Sequence, residues 1–270
     1  MAIITISRGS YSKGKEVAES VAARLGYTCV SRDVLLEASD RFHIPEVKLV
    51  RAIHDAPSIL DRFNRDKRVF IAYIRSALTC LAAKDNLVYH GLAGHLLLKG
   101  IPHVLKVRIN AHIEDRVAAE MKREELTAEK ARVLLQQDDE ERRKWTKSLY
   151  GVDPWDSSLY DLVIHVHKLT VADAVDFICL AAEMEAFRTT ASASQSMKDL
   201  AIACLIKGAL VDPFFDVGVT SDYGNVLIYT KAKEKNIEKL KKTARKMESE
   251  FQEINNLEIH EGVPIPPNAI

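Results

Sequence analysis

The chain opens on an unbroken apolar run, Ala2 to Ser7 (AIITIS), then a turn rich in Gly and Ser, then Glu16 to Leu25 (EVAESVAARL), where Val17, Val21 and Leu25 recur at helical spacing. The pattern predicts a buried strand feeding an amphipathic helix. The alternation continues to residue 187. Asp66 to Lys84 has the period of a long helix, while Asn86 to His90 and His103 to Asn110 (HVLKVRIN) read as strands. A charged helical stretch covers 112 to 149, and Leu159 to His167 (LYDLVIHVH) is the last strand of the series. Thr170 with Asp173 forms a capping box ahead of the helix VADAVDFICLAAEM. Strands that alternate with helices predict an α/β fold, a parallel sheet with helices on both faces.

The pattern breaks at 188 to 197, RTTASASQSM, which has the composition of a linker. Ser196 and Asp199 then read as a capping box for the helix DLAIACLIKGAL. Two strands follow, Phe214 to Thr220 and Val226 to Lys231, joined by SDYGN. A Lys/Glu-rich helix over 233 to 251 and a short strand near Leu257 to His260 complete the series. The expected organisation is a domain over 1–187, a linker over 188–197, a small α+β (αββαβ) domain over 198–262 and a poorly ordered tail over 263–270.

Composition narrows the function classes. Thirty-eight basic and 38 acidic residues give zero formal charge, which argues against a strongly basic nucleic-acid binder, so no nucleic-acid partner is expected. Cys29, Cys80, Cys179 and Cys204 form no CxxC pair and suit free, packed thiols in a reducing compartment. The N-terminus lacks a basic segment followed by an apolar one, and no stretch approaches the roughly 18 apolar residues of a membrane span. A cytoplasmic protein is expected. The nine histidines show no HExxH or Cys/His metal spacing. His165 and His167 on the last strand are read as facing opposite ways, so no metal-ligating residues are assigned.

The chemistry begins in the first turn. Gly9, Gly14 and Lys15 fit the spacing G-x-x-x-x-G-K between a strand and a helix, the context of a phosphate-binding loop. Backbone N–H groups there would surround phosphate oxygens while the Lys15 ammonium neutralises their charge. Glu16 stands where a magnesium-binding Ser or Thr is usual. It either points away or contributes an oxygen to the metal, and Ser10 and Ser12 are alternative hydroxyls. The candidate cofactor-binding set is Gly9, Ser10, Ser12, Lys13, Gly14, Lys15 and Glu16.

The run ITISRGSYSKGKEVAESVAARLGY resembles the start of the cytidylate-kinase-like proteins, a branch of the P-loop nucleoside monophosphate kinases, in which a Glu follows the loop's basic residue. VSRDVLLEAS is similar to the family's second-strand element, with Arg32 and Asp33 in place and Ser31 where an acidic residue is common. DDEERRKWTKSLYGVDPWDSSLYDLVIHV resembles its lid and last-strand motif through Asp139, Arg142, Trp145, Tyr150, Gly151, Asp153, Tyr160 and Asp161. The resemblance implies a P-loop NTPase sheet and ATP-dependent phosphoryl transfer to a nucleoside monophosphate, with ATP and Mg²⁺ as cofactors. It implies Lys15 and Arg142 as catalytic residues, with Arg116, Arg123, Arg132 and Arg143 as further lid arginines. Arg32, Asp33 and Gly91 are implied on the acceptor side, with 34 to 84 forming the monophosphate cleft. One position departs from the family: Leu92 follows Gly91 where an arginine is common, with His90 and His95 flanking it. That departure keeps open a second reading, a nucleotide-binding regulatory protein with little kinase activity.

The C-terminal order of elements, with Asp212, Pro213, Val217, Val219, Gly224 and Val226, resembles a BON domain, although the usual Leu-x-Gly after the second strand is missing. The resemblance implies an interaction module open to a protein, a ligand or a membrane surface, with a homodimer among the options.

Overall fold

The computed structural model describes residues 2–9, 12–54, 65–231 and 234–270. Through the first half the elements run β1 (Ile3–Arg8), α1 (Gly14–Leu25), β2 (Thr28–Val30), α2 (Asp33–Phe42), α3 (Glu46–His54), α4 (Arg65–Ala82), β3 (Leu87–Tyr89), α5 (Gly94–Leu97) and β4 (Val104–Ala111). They continue with α6 (Ile113–Glu124), α7 (Ala128–Tyr150), β5 (Leu162–Val166), α8 (Val171–Ala182), α9 (Ala191–Val211), β6 (Val217–Asp222), β7 (Asn225–Thr230), α10 (Glu234–Glu250) and β8 (Asn256–Glu261). No helix among the described residues is long and apolar enough to cross a membrane.

The chain separates into two compact units, the first built chiefly from Met1–Asp33 and Asp85–Thr189. Its five strands are parallel in the order β2-β3-β1-β4-β5, as the alternating pattern predicts. Because β1 lies between β3 and β4, the chain leaves it where the strand order reverses. Open α/β sheets form their ligand crevice at that point, outside the carboxyl ends of the strands. The apolar run of β1 is buried on both faces, and Val17 and Val21 of α1 pack with Val175 and Ile178 of α8 in one core. The capping box at Thr170 and Asp173 starts α8 as expected.

The charged stretch 112–149 is two helices rather than one. The chain turns at Glu125, in the left-handed region at φ 53°, and restarts with Thr127 accepting from the Lys130 N–H. Val117, Ala131 and Leu135 give this helix pair a small core of its own.

The second unit joins Val34–Ala52 and Asn64–Lys84 to Thr190–Ile270. Helix α4 packs along α9. Phe42 stacks on Tyr73 at 4.2 Å, and Gly208 makes room for it, since a Cβ there would lie 2.7 Å from the Phe42 ring. The sheet order is β6-β7-β8, antiparallel then parallel. Tyr223 and Gly224, at φ 50° and 74°, make the tight β6–β7 turn. Buried Asp199 of α9 accepts from the Ser221 hydroxyl and the Gly224 N–H, each at 3.0 Å.

Three expectations are corrected here. Residues 191–197 are the first turns of α9, capped by Thr190 rather than Ser196, because alanine favours helix and Ala193 and Met197 are buried. The strand expected from Phe214 begins at Val217, with Phe214 in the core of this unit. The tail is tied down: Val219 and Ile270 exchange backbone hydrogen bonds at 3.2 and 3.0 Å, which satisfies groups that β6 otherwise leaves open on its outer edge.

Candidate functional site

The loop after β1 meets α1 at Lys13, which takes a left-handed φ of 61° that is costly for a residue with a Cβ. The Val17 N–H reaches the Lys13 carbonyl at 3.0 Å. The N–H groups of Gly14, Lys15 and Glu16 therefore have no acceptor inside the helix and open toward the crevice, where the positive end of the helix favours an anion. Lys13, Lys15 and Glu16 are exposed there, with Lys15 3.7 Å from Glu19. Ser12 corrects one expectation. It is fully buried and donates to the Gly9 carbonyl at 3.0 Å, so its hydroxyl braces the turn instead of facing a metal. Ser10 lies outside the described residues.

On the β2 side, Arg32 is exposed, and Asp33 accepts from the Ser31 N–H at 3.2 Å. The Ser31 hydroxyl donates to the His90 carbonyl at 3.2 Å, joining the ends of β2 and β3. Burial pushes the His90 pKa down, Arg8 and Lys15 push the same way, and Glu19 and Asp33 oppose them. Lys15 and Asp33, assigned to different substrates, thus lie within electrostatic reach of one buried histidine. Gly91 is fixed by close approach. A Cβ there would stand 2.1 Å from the Tyr89 hydroxyl, which itself reaches the Leu92 carbonyl at 3.3 Å. Gly91→Ala is expected to cost about 1–3 kcal/mol of stability by overpacking, read as a lower midpoint in urea denaturation. An unchanged midpoint would show that Tyr89 can swing aside.

The helix pair α6–α7 supplies the cations. The Arg142 guanidinium reaches the Arg8 carbonyl, at the end of β1, at 3.4 Å. Arg116 pairs with Asp139 at 2.8 Å, and a Cβ on Gly9 would lie 3.5 and 3.6 Å from these two side chains. Two of the five candidate arginines therefore stand at the loop. The other three are engaged along the helices: Arg123 with Glu120 and Glu124, Arg132 with Glu114, and Arg143 with Asp153. Arg143 also lies 4.3 Å over the Trp155 ring, and Lys147 joins it on Asp153. Together they hold the Asp153 carboxyl well below the usual range.

A buried polar group that the sequence reading left unassembled lies under the loop. Ser7 and Arg108 are direct partners in the β1–β4 register. Ser7 Oγ shares a 3.0 Å hydrogen bond with His95 Nδ1, the His95 ring lies 4.7 Å from the Tyr160 ring, and the Arg108 guanidinium lies 5.7 Å from the centre of that same Tyr160 ring. The apolar alternation of β4 was visible in the sequence; its register against β1 was not.

Beside the loop opens a cavity of about 840 Å³, lined by apolar Ala118, Ala119, Val171 and Val175 and by polar Lys13, Glu16, Asp115 and His167. A mostly apolar lining with a few polar groups is the usual character of a small-molecule site. The sequence profile of the cytidylate kinase-like family matches residues 3–168, which include the loop, the α6–α7 pair and the cavity residues from Lys13 to His167, but not those of α8. The chain belongs to the cytidylate kinase-like family. Among curated relatives it is 29% identical over 121 residues to the cytidylate kinase of Methanosarcina acetivorans, covering 44% of this chain and 66% of that one. It is 43% identical over 64 residues to the cytidylate kinase of Methanopyrus kandleri, covering 24% and 33%. The chain thus spans from about a third to just under two thirds of the length of these relatives. An uncharacterized protein from Eubacterium ventriosum shares the fold at a TM-score of 0.51 and 20% identity, over 67% of this chain and 98% of that one.

The site fits the cofactors that the kinase family implies. The N–H groups at the start of α1 that have no acceptor inside the helix, with Lys13 and Lys15, suit a polyphosphate. Glu16, and Asp139 beside Gly9, are the hard oxygen donors that Mg²⁺ prefers when it shares its shell with phosphates and water.

Proposed function

We propose that the protein is an ATP-dependent nucleoside monophosphate kinase of the cytidylate type. The observation that carries this reading is the meeting of the loop with Arg142 of α7 at the Arg8 carbonyl. Phosphoryl transfer asks a protein for positioning and positive charge, and little covalent chemistry. In this reading the N–H groups of residues 14–16 and Lys15 hold the β and γ phosphates of ATP. Arg32 and Asp33 orient the acceptor, whose phosphate oxygen attacks the γ-phosphorus as the bond to the β-phosphate oxygen breaks. Arg142 and Arg116 face the charge that spreads over the equatorial oxygens. Glu16 and Asp139 would hold Mg²⁺, which supplies neutralisation of the phosphate charge. The C-terminal unit, helix, hairpin, helix and strand, is read as a BON-like interaction module.

Purified protein given Mg-ATP and each of CMP, dCMP, UMP, AMP and GMP tests the proposal. Formation of a nucleoside diphosphate with one acceptor supports it and names the acceptor. ATP binding with no diphosphate from any acceptor would replace it by the regulatory reading, for which Leu92 in place of the family's arginine is the supporting observation. Arg142→Ala is expected to lower kcat roughly 100-fold while ATP affinity changes much less, because the lid charge acts mainly in the transition state. Equal losses in kcat and in affinity would assign Arg142 to ground-state binding.

A further inference from the structure

The parallel register of β4 and β5 ends on the pair Ala111 and Val166. One residue further along each strand stand His112 and His167, and the His112 N–H still reaches the Val166 carbonyl at 3.4 Å. Their rings stack with centroids 4.5 Å apart. His112 is also the N-cap of α6, and Asp115, three residues on, reaches His167 Nδ1 at 2.8 Å. One ligand atom from each of His112, Asp115 and His167 lies within 4.8 Å of the other two.

The sequence reading excluded a metal here by sending His165 and His167 to opposite faces of the last strand. That is corrected: side chains two apart in a strand share a face, and 163, 165 and 167 are all exposed between buried Ile164 and Val166. The partner of His167 is in any case not on its own strand. It comes from the neighbouring strand, 55 residues earlier in the chain.

We infer that His112, Asp115 and His167 form a binding site for a single divalent ion of the zinc class. Two imidazoles and one carboxylate are a donor set that suits Zn²⁺ far better than Mg²⁺. A tetrahedral zinc with bonds of about 2.0–2.1 Å holds neighbouring ligand atoms roughly 3.4 Å apart, so small side-chain rotations complete the site. A plain His–Asp hydrogen bond accounts for His167 and Asp115 but not for His112. Its Nδ1 is buried and has no hydrogen-bond partner among the described residues. An ion that His112 binds through Nδ1 gives that nitrogen a partner and takes the place of the proton shared by Asp115 and His167. The backbone at the site is pinned by the β4–β5 ladder and by the His167 N–H bond to the Leu169 carbonyl, so little ordering is needed on binding.

Three protein ligands leave a fourth position open. Asp115 and His167 line the 840 Å³ cavity, so the open position faces the space bounded by Lys13 and Glu16. Binding of the ion requires neither nucleotide nor kinase activity, and its loss would leave the kinase reading untouched.

The test is titration of the full-length, metal-stripped protein with Zn²⁺ alone by calorimetry, and with Co²⁺ by visible absorption. A saturable site with one equivalent of Zn²⁺ and the intense bands of four-coordinate Co²⁺ is expected. His112→Ala and His167→Ala should each weaken that site at least about tenfold and abolish the bands, since even indirect support of a metal ligand is worth that much. His260→Ala, at β8, should change neither. Should His112→Ala alter the far-ultraviolet circular dichroism, Asp115→Asn and His167→Gln, both at half-exposed positions, carry the same readouts. Absence of saturable Zn²⁺ binding, or binding unaffected by these substitutions, overturns the inference.

Discussion

Replacing Lys15 with alanine is expected to reduce phosphoryl transfer on the order of 10³-fold and to weaken ATP binding at least tenfold, with the fold intact. The loss follows from position. Lys15 is the second residue of α1, beside N–H groups that the helix leaves free, and its ammonium adds a full charge where the phosphates carry most of theirs. A hydrogen bond to a charged group is worth about 1.5–3 kcal/mol, which is at least tenfold in affinity. The fold should not suffer, because the Lys15 side chain is 66% exposed and its ion pair with Glu19, at 3.7 Å, is a surface contact of small worth. Turnover, ATP titration and urea denaturation of Lys15→Ala beside wild type decide the matter. Wild-type binding and turnover in Lys15→Ala would remove the loop from the proposed chemistry. A loss in Lys13→Ala alone would move the role two residues back, to the left-handed lysine at the N-cap.

Such a result would also show why part of this site could be read without a structure. The loop was legible because local order is enough to place it: an apolar run that reads as a buried strand, a glycine-rich turn, and a helix whose first turn carries the lysine. The α8 capping box was legible for the same reason, since Thr170 and Asp173 lie three residues apart. What the sequence hid are contacts between distant segments. Ser7 and His95 are 88 residues apart, Arg142 and Arg8 134, and only strand order and register bring them together. Local signals also misled where they were weak. RTTASASQSM has the polarity of a linker, yet its alanines favour helix and Ala193 and Met197 have a core to enter. Residues 34–84 show the helical period but nothing of the pairing of α4 with α9, which sets the segment expected to bind acceptor in the same compact unit as the C-terminal elements.

Acidification from about pH 6.5 to pH 4 is expected to cost the native state on the order of 3 kcal/mol through His95 alone. The side chain is 5% exposed, and its pKa is lowered to about 4, first by burial and then by the charges of Arg108 and Lys106. An unfolded chain has the ordinary histidine value near 6.5. Between the two values the unfolded state binds a proton that the native state refuses, so stability is full above about pH 6.5 and falls as the pH drops toward 4. His90 and His103 are also held below their ordinary values by burial, and they steepen the wild-type curve in the same direction. The difference between wild type and His95→Asn isolates one residue, since asparagine can still pair with Ser7 but does not titrate. Urea denaturation at intervals from pH 7.5 to 4.5 should show wild type losing stability faster than the variant, and parallel curves would mean that His95 is solvated or already charged in the native state. Near pH 4 the native state takes up this proton too, and a protonated His95 can no longer accept from the Ser7 hydroxyl, two residues before Gly9 at the mouth of the proposed phosphate loop. Loss of ATP binding by way of His95 should therefore follow the folded-state value near pH 4, at the lower end of the range in which wild type and His95→Asn diverge in stability, and a loss that already sets in near pH 6.5 would mean that another group controls the loop.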